Sequence, residues 1–242
     1  MPTPVHYIPI ATTLLTLFFA PVVFKRWREK KPAPHLFWWG LGIVAYGVGT
    51  FTEGFTTLFG WQEPVFRAWY IAGALLGGAP LAQGTVYLMF SRKTANIMAS
   101  CVGVALLIGS ALVILSPIDS SLVEPHRLTG RVMTWTSARV AVTPFINTYA
   151  AIFLIGGAVL SAWRYRKDPA ARHRFIGNCF IAVGALLPGI GGTATVFGHT
   201  EVLYVMEFIG IILIWIGYRY NVMPGAGGAP ARAVPEEARA TA

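Results

Sequence analysis

Long apolar runs separated by short polar loops dominate the chain. There are seven such runs, at residues 5–24, 36–59, 65–90, 94–115, 140–163, 175–197 and 202–220. A helix needs about 20 predominantly apolar residues to cross the hydrocarbon core of a bilayer. The runs lack the strict alternation of barrel strands and are longer than such strands. The pattern therefore predicts an all-α protein, a bundle of seven transmembrane helices.

Composition supports a membrane protein and excludes several soluble classes. Hydrophobic residues make up 55% of the chain and charged residues 12%, whereas soluble domains carry about 25% charged residues. This excludes a cytosolic enzyme, a nucleic-acid-binding domain and a disordered chain. We assign residues 1–222 to one transmembrane domain. Residues 223–242 have no apolar periodicity, which predicts a disordered cytoplasmic tail.

Basic residues are concentrated on alternate loops. Of the 19 Lys and Arg residues, all but four lie in the loops after runs one, three and five, at the end of run seven or in the tail; the four are Arg67, Arg127, Arg131 and Arg139. Cytoplasmic loops carry an excess of Lys and Arg. The predicted orientation is therefore N-terminus outside and C-terminus cytoplasmic. The first run has its basic cluster after it, the reverse of a signal peptide, so we expect an uncleaved helix.

The loop at residues 116–139 is the only long one. Leu128, Val132 and Trp135 have helical spacing, which predicts a short helix on the outer membrane surface. A hairpin at Thr129-Gly130 is the alternative.

A short internal similarity suggests a duplication. Thr57-Leu-Phe-Gly60, followed by Glu63, is similar to Thr195-Val-Phe-Gly198, followed by Glu201. Helices two and three would then match helices six and seven, which favours a 3+1+3 plan of parallel repeats. A chance match between apolar segments is the alternative.

Two intramembrane carboxyl groups are the main candidate site. Glu53 lies in helix two and Glu207 in helix seven, each about 10 Å from the outer end. A charged side chain at such a depth in the bilayer is energetically costly, so it usually has a structural or functional role. If both face inward, they predict a site for a cation, a proton or a polar ligand. The alternatives are an ion pair of Glu53 with Arg67 or Arg139, or a protonated, hydrogen-bonded carboxyl.

Helix six contains Leu-Pro-Gly-Ile-Gly-Gly at residues 187–192. Because Pro188 lacks an N–H and the glycines give no side-chain support, we expect this stretch to leave helical geometry and line a site. The alternative is close packing against another helix. The remaining candidates for ligand contact are Tyr70, Gln83, Asn147 and Tyr204. The alternative for the two amides, Gln83 and Asn147, is a hydrogen bond to a neighbouring helix.

Other chemistry finds no support in the sequence. No nucleophile–base, phosphate-loop or metal-ligand spacing occurs, so we expect neither an enzyme nor a metal site. Cys101 and Cys179 are expected to be buried thiols. Helix seven contains no lysine, which excludes a covalent retinal. The sequence names no cofactor.

One segment carries a family resemblance. Residues 60–70, Gly-Trp-Gln-Glu-Pro-Val-Phe-Arg-Ala-Trp-Tyr, together with Gln83-Gly-Thr-Val-Tyr87, resemble an uncharacterised group of bacterial seven-helix inner-membrane proteins. The resemblance implies a multi-pass protein of a bacterial inner membrane and carries no activity with it.

The functional hypothesis follows from these features. We expect a protein in a lipid bilayer, without a nucleic-acid partner, that handles a small molecule or ion in the outer half of the bundle, between helices two, three, six and seven. The alternatives are an accessory or structural subunit of a larger membrane complex or homo-oligomer, and a membrane-embedded sensor.

Overall fold

The computed structural model describes residues 3–223 of the 242-residue chain and confirms an all-helical fold. The described residues contain seven long helices: α1, Pro4–Glu29; α2, Pro34–Phe59; α3, Glu63–Met89; α4, Arg92–Leu115; α5, Ala138–Tyr165; α6, Arg172–Val196; and α7, Thr200–Val222. Apart from residue 223, the predicted tail lies outside the described residues.

Six helices are long and apolar enough to cross a membrane, as expected of a multi-pass integral membrane protein. The exception is α2, which has the length but contains five glycines and four threonines. All four threonines are buried, and three of them donate to backbone carbonyls of the preceding turn of α2. The glycines and threonines of α2 are buried in the bundle, whereas its exposed side is apolar and includes Val44, Val48 and Phe51.

The helices form a ring in which α1 packs against both α2 and α7, while α3, α5 and α6 complete the circuit. The helix α4 lies outside this ring, against α3 and α5, and is largely exposed. We call the end where α1, α3, α5 and α7 finish the basic end. The other end carries residues 116–137 between α4 and α5, and we call it the loop end.

The predicted break at Pro188 in α6 is wrong, since α6 is continuous from Arg172 to Val196. Its three buried glycines recur every seven residues, at 177, 184 and 191, and face Gly217, Gly210 and Leu203 of α7. A methyl group built on Gly184 would lie 2.7 Å from the Gly210 carbonyl oxygen. The glycines in this region therefore allow close helix packing, the alternative that the sequence offered.

Two helices are irregular: α5 contains the π-helical segments Ala138–Val142 and Ala151–Ile155, and α3 is interrupted by a turn. Its α-helical segments, Glu63–Trp69 and Ala79–Met89, are separated by a π-helical segment, Tyr70–Leu75, and a turn at residues 76–78. Pro80 lacks the N–H that would bond the Leu76 carbonyl, and Gly77 and Gly78 add no side-chain restraint. The same combination of proline and glycine that α6 accommodates therefore interrupts α3.

Residues 116–137 form neither the predicted surface helix nor the Thr129-Gly130 hairpin. They contain two short 3₁₀ turns, Ser120–Leu122 and Gly130–Val132, and two isolated bridges, Ile118 with Met133 and Glu124 with Arg127. Leu128, Val132 and Met133 are buried in the core beneath. The helical spacing of Leu128 and Val132 thus reflects burial of a compact loop against the bundle.

Two further sequence expectations have different outcomes. Cys101 is exposed on α4 and Cys179 is only half-buried, so the prediction of buried thiols is wrong. Cys101 is exposed because α4 lies outside the ring. Gly60 and Gly198, which end the two similar segments, both have a positive φ, 80° and 96°. The shared conformation ends a helix in both places, and the internal duplication stays a prediction.

Candidate functional site

Glu53 of α2 and Glu207 of α7 lie side by side, with their carboxyl groups within hydrogen-bonding reach of each other. Glu53 is 3% exposed, and the Oε2 atoms of both residues are buried. Both residues lie about 10 Å from the loop end, given a helical rise of about 1.5 Å per residue. The two carboxyl groups therefore lie together in the bundle, where Glu53 is buried and Glu207 is half-buried.

Neighbouring side chains fix the position of this carboxyl pair. The Trp69 indole N–H donates to Glu53 Oε1 at 2.9 Å. The Tyr46 hydroxyl donates to the backbone carbonyl of Glu207 at 2.8 Å and so joins α2 to α7. The Oε2 atoms of Glu53 and Glu207 have no hydrogen-bond partner among the described residues. Each carboxyl group can therefore accept a further ligand.

The predicted arginine partners do not neutralise the pair. Arg67 bonds instead to Glu63, with Nη2 and Oε1 2.6 Å apart, and donates to the carbonyls of Val113 and Ser116 at the end of α4. Arg139 makes no ion pair within residues 3–223. The hypothesis that either arginine pairs with Glu53 is therefore wrong. Arg67 binds the unpaired carbonyls of a helix C-terminus instead, which attract a cation.

Tyr204 connects the carboxyl pair to the loop end. It is 2% exposed and close enough to the carboxyl groups of Glu53, Glu207 and Glu201, and to Arg127, for their charges to act on its hydroxyl. The His6 ring packs edge-on against Tyr204, with centroids 5.9 Å apart, and His6 Nε2 lies 3.8 Å from Glu201 Oε1. Glu201 is half-exposed. A line of polar side chains thus extends from the buried pair to the surface.

Two candidate residues instead join helices elsewhere in the bundle. The Gln83 side-chain amide is fully buried; it donates to the Ala95 carbonyl at 2.9 Å and accepts from the Tyr149 hydroxyl. The Tyr70 hydroxyl lies 3.0 Å from Thr143 Oγ1. Because all the hydrogen-bonding atoms named here are used within the protein, neither residue is placed as a ligand contact.

The remaining candidates lie away from the carboxyl pair. Asn147 is exposed on α5. Pro188 packs against Gly210 in the contact between α6 and α7. The proposed contact of Asn147 and Pro188 with an inward ligand therefore has no geometric support. The sequence interpretation also missed Trp69 as a partner of Glu53, since a tryptophan near a helix end is typical of the membrane interface.

Arginines and a histidine of the loop region cap helix ends. Arg127 and Arg131 donate to the carbonyls of Thr195 and Val196 at the end of α6, at 3.4 and 2.8 Å. The His126 ring lies 3.4 Å from the Thr56 carbonyl. Three of the four arginines at the loop end thus bind helix C-termini.

Asp119 in the same loop region is a carboxyl group whose pKa is lowered by local hydrogen bonds. Hydrogen bonds from the Ser121 hydroxyl and backbone N–H lower the pKa of Asp119. This stabilises the ionised Asp119 in the 3₁₀ turn. It does not involve the buried pair.

No group of three or more His, Cys, Asp or Glu side chains within residues 3–223 is placed to hold a metal ion. The 470 Å³ cavity of the bundle lies at the basic end and is not lined by Glu53 or Glu207. No protein-family model and no curated protein matches the chain. The interpretation of the site therefore depends on its geometry.

Proposed function

We propose that the chain is a seven-span protein of a bacterial inner membrane that binds an exchangeable small cation, in the first place a proton, between Glu53 and Glu207. The observation that carries this proposal is the meeting of two carboxyl groups whose Oε2 atoms have no partner within residues 3–223. Two adjacent negative charges repel strongly in a low-dielectric interior. A shared proton or a bound monovalent cation removes that repulsion.

The line of side chains from Tyr204 to Glu201 supports exchange with the loop end. Tyr204 is within electrostatic range of the carboxyl pair, and His6 contacts both the Tyr204 ring and the half-exposed Glu201. Hydroxyl, imidazole and carboxyl groups can each accept and donate a proton. The cation would therefore enter from the loop end, which the charge pattern assigns to the outside.

Glutamine substitutions test the site. Glu53→Gln and Glu207→Gln keep the side-chain shape, and the amide oxygen introduced by Glu53→Gln can still accept from Trp69. Infrared difference spectra of the purified protein in lipid nanodiscs should show the carbonyl band of a protonated carboxyl group at neutral pH. Each single variant should shift the frequency of that band, because the remaining buried carboxyl group stays protonated but has a new neighbour, and the double variant should lose the band. Glu201→Gln on the same helix as Glu207 is the control and should keep it.

A metal cation in place of a proton gives a different result. Sodium or potassium would then raise the melting temperature of the wild-type protein by mass action, and Glu53→Gln and Glu207→Gln would abolish that rise. If the wild-type protein shows neither the carboxyl band nor the cation-dependent rise, the proposal is wrong. It is also wrong if both substitutions leave these signals unchanged.

Cysteine labelling tests the orientation. In a background with Cys101 and Cys179 replaced by alanine, a membrane-impermeant maleimide added outside should label Ser121→Cys in the loop region. It should not label Asp168→Cys between α5 and α6. Both positions are exposed in the structure, so access differs only by side of the membrane. Labelling after membrane lysis is the control for Asp168→Cys, and the reverse pattern would overturn the orientation.

A second candidate function is a subunit of a larger membrane assembly. Asn147 lies exposed on α5, next to Thr148 and near Phe145, which is also exposed. A polar amide facing lipid is unfavourable, and helices of membrane complexes use such groups for hydrogen bonds between them. Asn147 is therefore the residue that favours a partner subunit or a second copy of this chain.

A further inference from the structure

A cavity of about 470 Å³ opens at the basic end, where six of the seven helices enclose it. Its inner wall is apolar and includes Ile43, Leu81, Leu154 and Ile214. Ile43 and Ile214 lie eight or nine residues from the basic ends of their helices, about 13 Å deep. The volume lies in the range of small-molecule pockets.

Three arginines surround the mouth of this cavity. Arg26 comes from α1, Arg164 from α5 and Arg174 from α6. None of them forms a salt bridge within the described part of the chain, and no lining residue is acidic. Arg174 donates to the Tyr165 hydroxyl at 3.3 Å, which holds its guanidinium at the rim. The mouth is therefore positively charged and the interior apolar.

The Tyr218 hydroxyl is an independent indication that the cavity binds a polar group. Its side chain lines the cavity and is only 5% exposed. Its hydroxyl oxygen is buried and has no hydrogen-bond partner among residues 3–223. A buried hydroxyl without a partner is unfavourable. An anionic oxygen placed in the mouth would accept a hydrogen bond from it.

We propose that this cavity binds an amphiphile with one aliphatic chain and an anionic head group, of which a long-chain fatty carboxylate is the simplest. The chain would lie against the apolar wall. The head group would meet Arg26, Arg164 and Arg174 and accept the hydrogen bond of Tyr218. Arginine recognises carboxylates and phosphates alike. This site is separate from the carboxyl pair and does not depend on the function proposed for that pair.

Fluorescence titration with dansylated undecanoic acid tests the site. The protein is reconstituted in nanodiscs of zwitterionic lipid, and the signal of empty nanodiscs is subtracted. We expect saturable binding that oleate reverses and methyl oleate, which lacks the charge, does not. Lysophosphatidate is the second competitor: stronger competition by it than by oleate identifies a phosphate head group, and the reverse identifies a carboxylate.

Conservative variants connect binding to the cavity. Tyr218→Phe removes only the hydroxyl and should weaken binding about tenfold, because a hydrogen bond to a charged acceptor is lost. Arg26→Gln, Arg164→Gln and Arg174→Gln should each weaken it several-fold. Arg172→Gln removes the same charge from the same helix as Arg174, outside the cavity lining, and is the control. It should bind as the wild type does.

Ala158→Trp fills the cavity from α5, where Ala158 is buried in the lining. It should abolish saturable binding. Equal binding by Tyr218→Phe, the arginine variants and the control would show that the probe partitions only into lipid and would overturn the proposal. Equal displacement by oleate and methyl oleate would overturn it as well. Because the conservative variants remove single polar groups, their result holds even if Ala158→Trp fails to fold.

Discussion

Gly184→Ala is expected to destabilise the protein, whereas Gly189→Ala and Gly192→Ala on the same helix should stabilise it. The added methyl group at 184 would lie 2.7 Å from the Gly210 carbonyl oxygen and 2.9 Å from the Leu213 Cβ. Neither a backbone oxygen nor a Cβ can move without shifting α7. Overpacking of this kind costs about 1–3 kcal/mol.

The two control glycines have open space. A methyl group at 189 or 192 would meet no atom within 4 Å. Because alanine loses less backbone entropy than glycine in a helix, each control should gain about 0.5–1 kcal/mol. Melting temperatures of the three variants in identical micelles measure the difference. A stabilising Gly184→Ala would show that α6 and α7 do not pack as closely as the structure places them.

Arg67→Gln is the second substitution with a large expected effect. The Arg67 side chain is 17% exposed and binds the carbonyls of Val113 and Ser116 as well as Glu63. The ion pair with the half-exposed Glu63 adds little by itself. The two carbonyls at the end of α4 lose a charged donor, which costs about 1.5–3 kcal/mol for each such bond. We expect a loss of about 3 kcal/mol in the free energy of unfolding.

Arg139→Gln is the matched control for Arg67→Gln. The Arg139 side chain makes no hydrogen bond or ion pair within residues 3–223, so its replacement should change stability by about 0.5 kcal/mol or less. Denaturant or thermal unfolding of both variants under one set of conditions provides the comparison. Equal stability losses would show that Arg67 does not hold the end of α4 and that net charge alone matters at the loop end.

The two predictions concern contacts that sequence patterns cannot supply. Both α3 and α6 contain a proline close to glycines, Pro80 after them and Pro188 before them, so the two sequences give the same signal. In the structure α6 is continuous and packs against α7 through Gly177, Gly184 and Gly191, whereas α3 has a π-helical segment before its turn. A glycine in a membrane helix permits both close packing and a break, and the neighbouring helix decides between them.

The sequence by itself determined where the seven long helices lie along the chain and how far Glu53 and Glu207 stand from the ends of their helices. An apolar run of about 20 residues predicts a membrane helix because the hydrocarbon core is about 30 Å thick, and the helical rise converts a residue count into a distance along the helix for Glu53 and Glu207. These quantities are local, so no knowledge of neighbours is needed.

Only the tertiary structure decided the partners of these side chains. It placed Arg67 on the end of α4 and Trp69 on Glu53. It also gathered Arg26, Arg164, Arg174 and Tyr218 around one cavity. Each arrangement depends on how helices distant in sequence rotate and pack against one another. That rotation is set by side-chain contacts across the whole bundle, which the periodicity of a single helix does not contain.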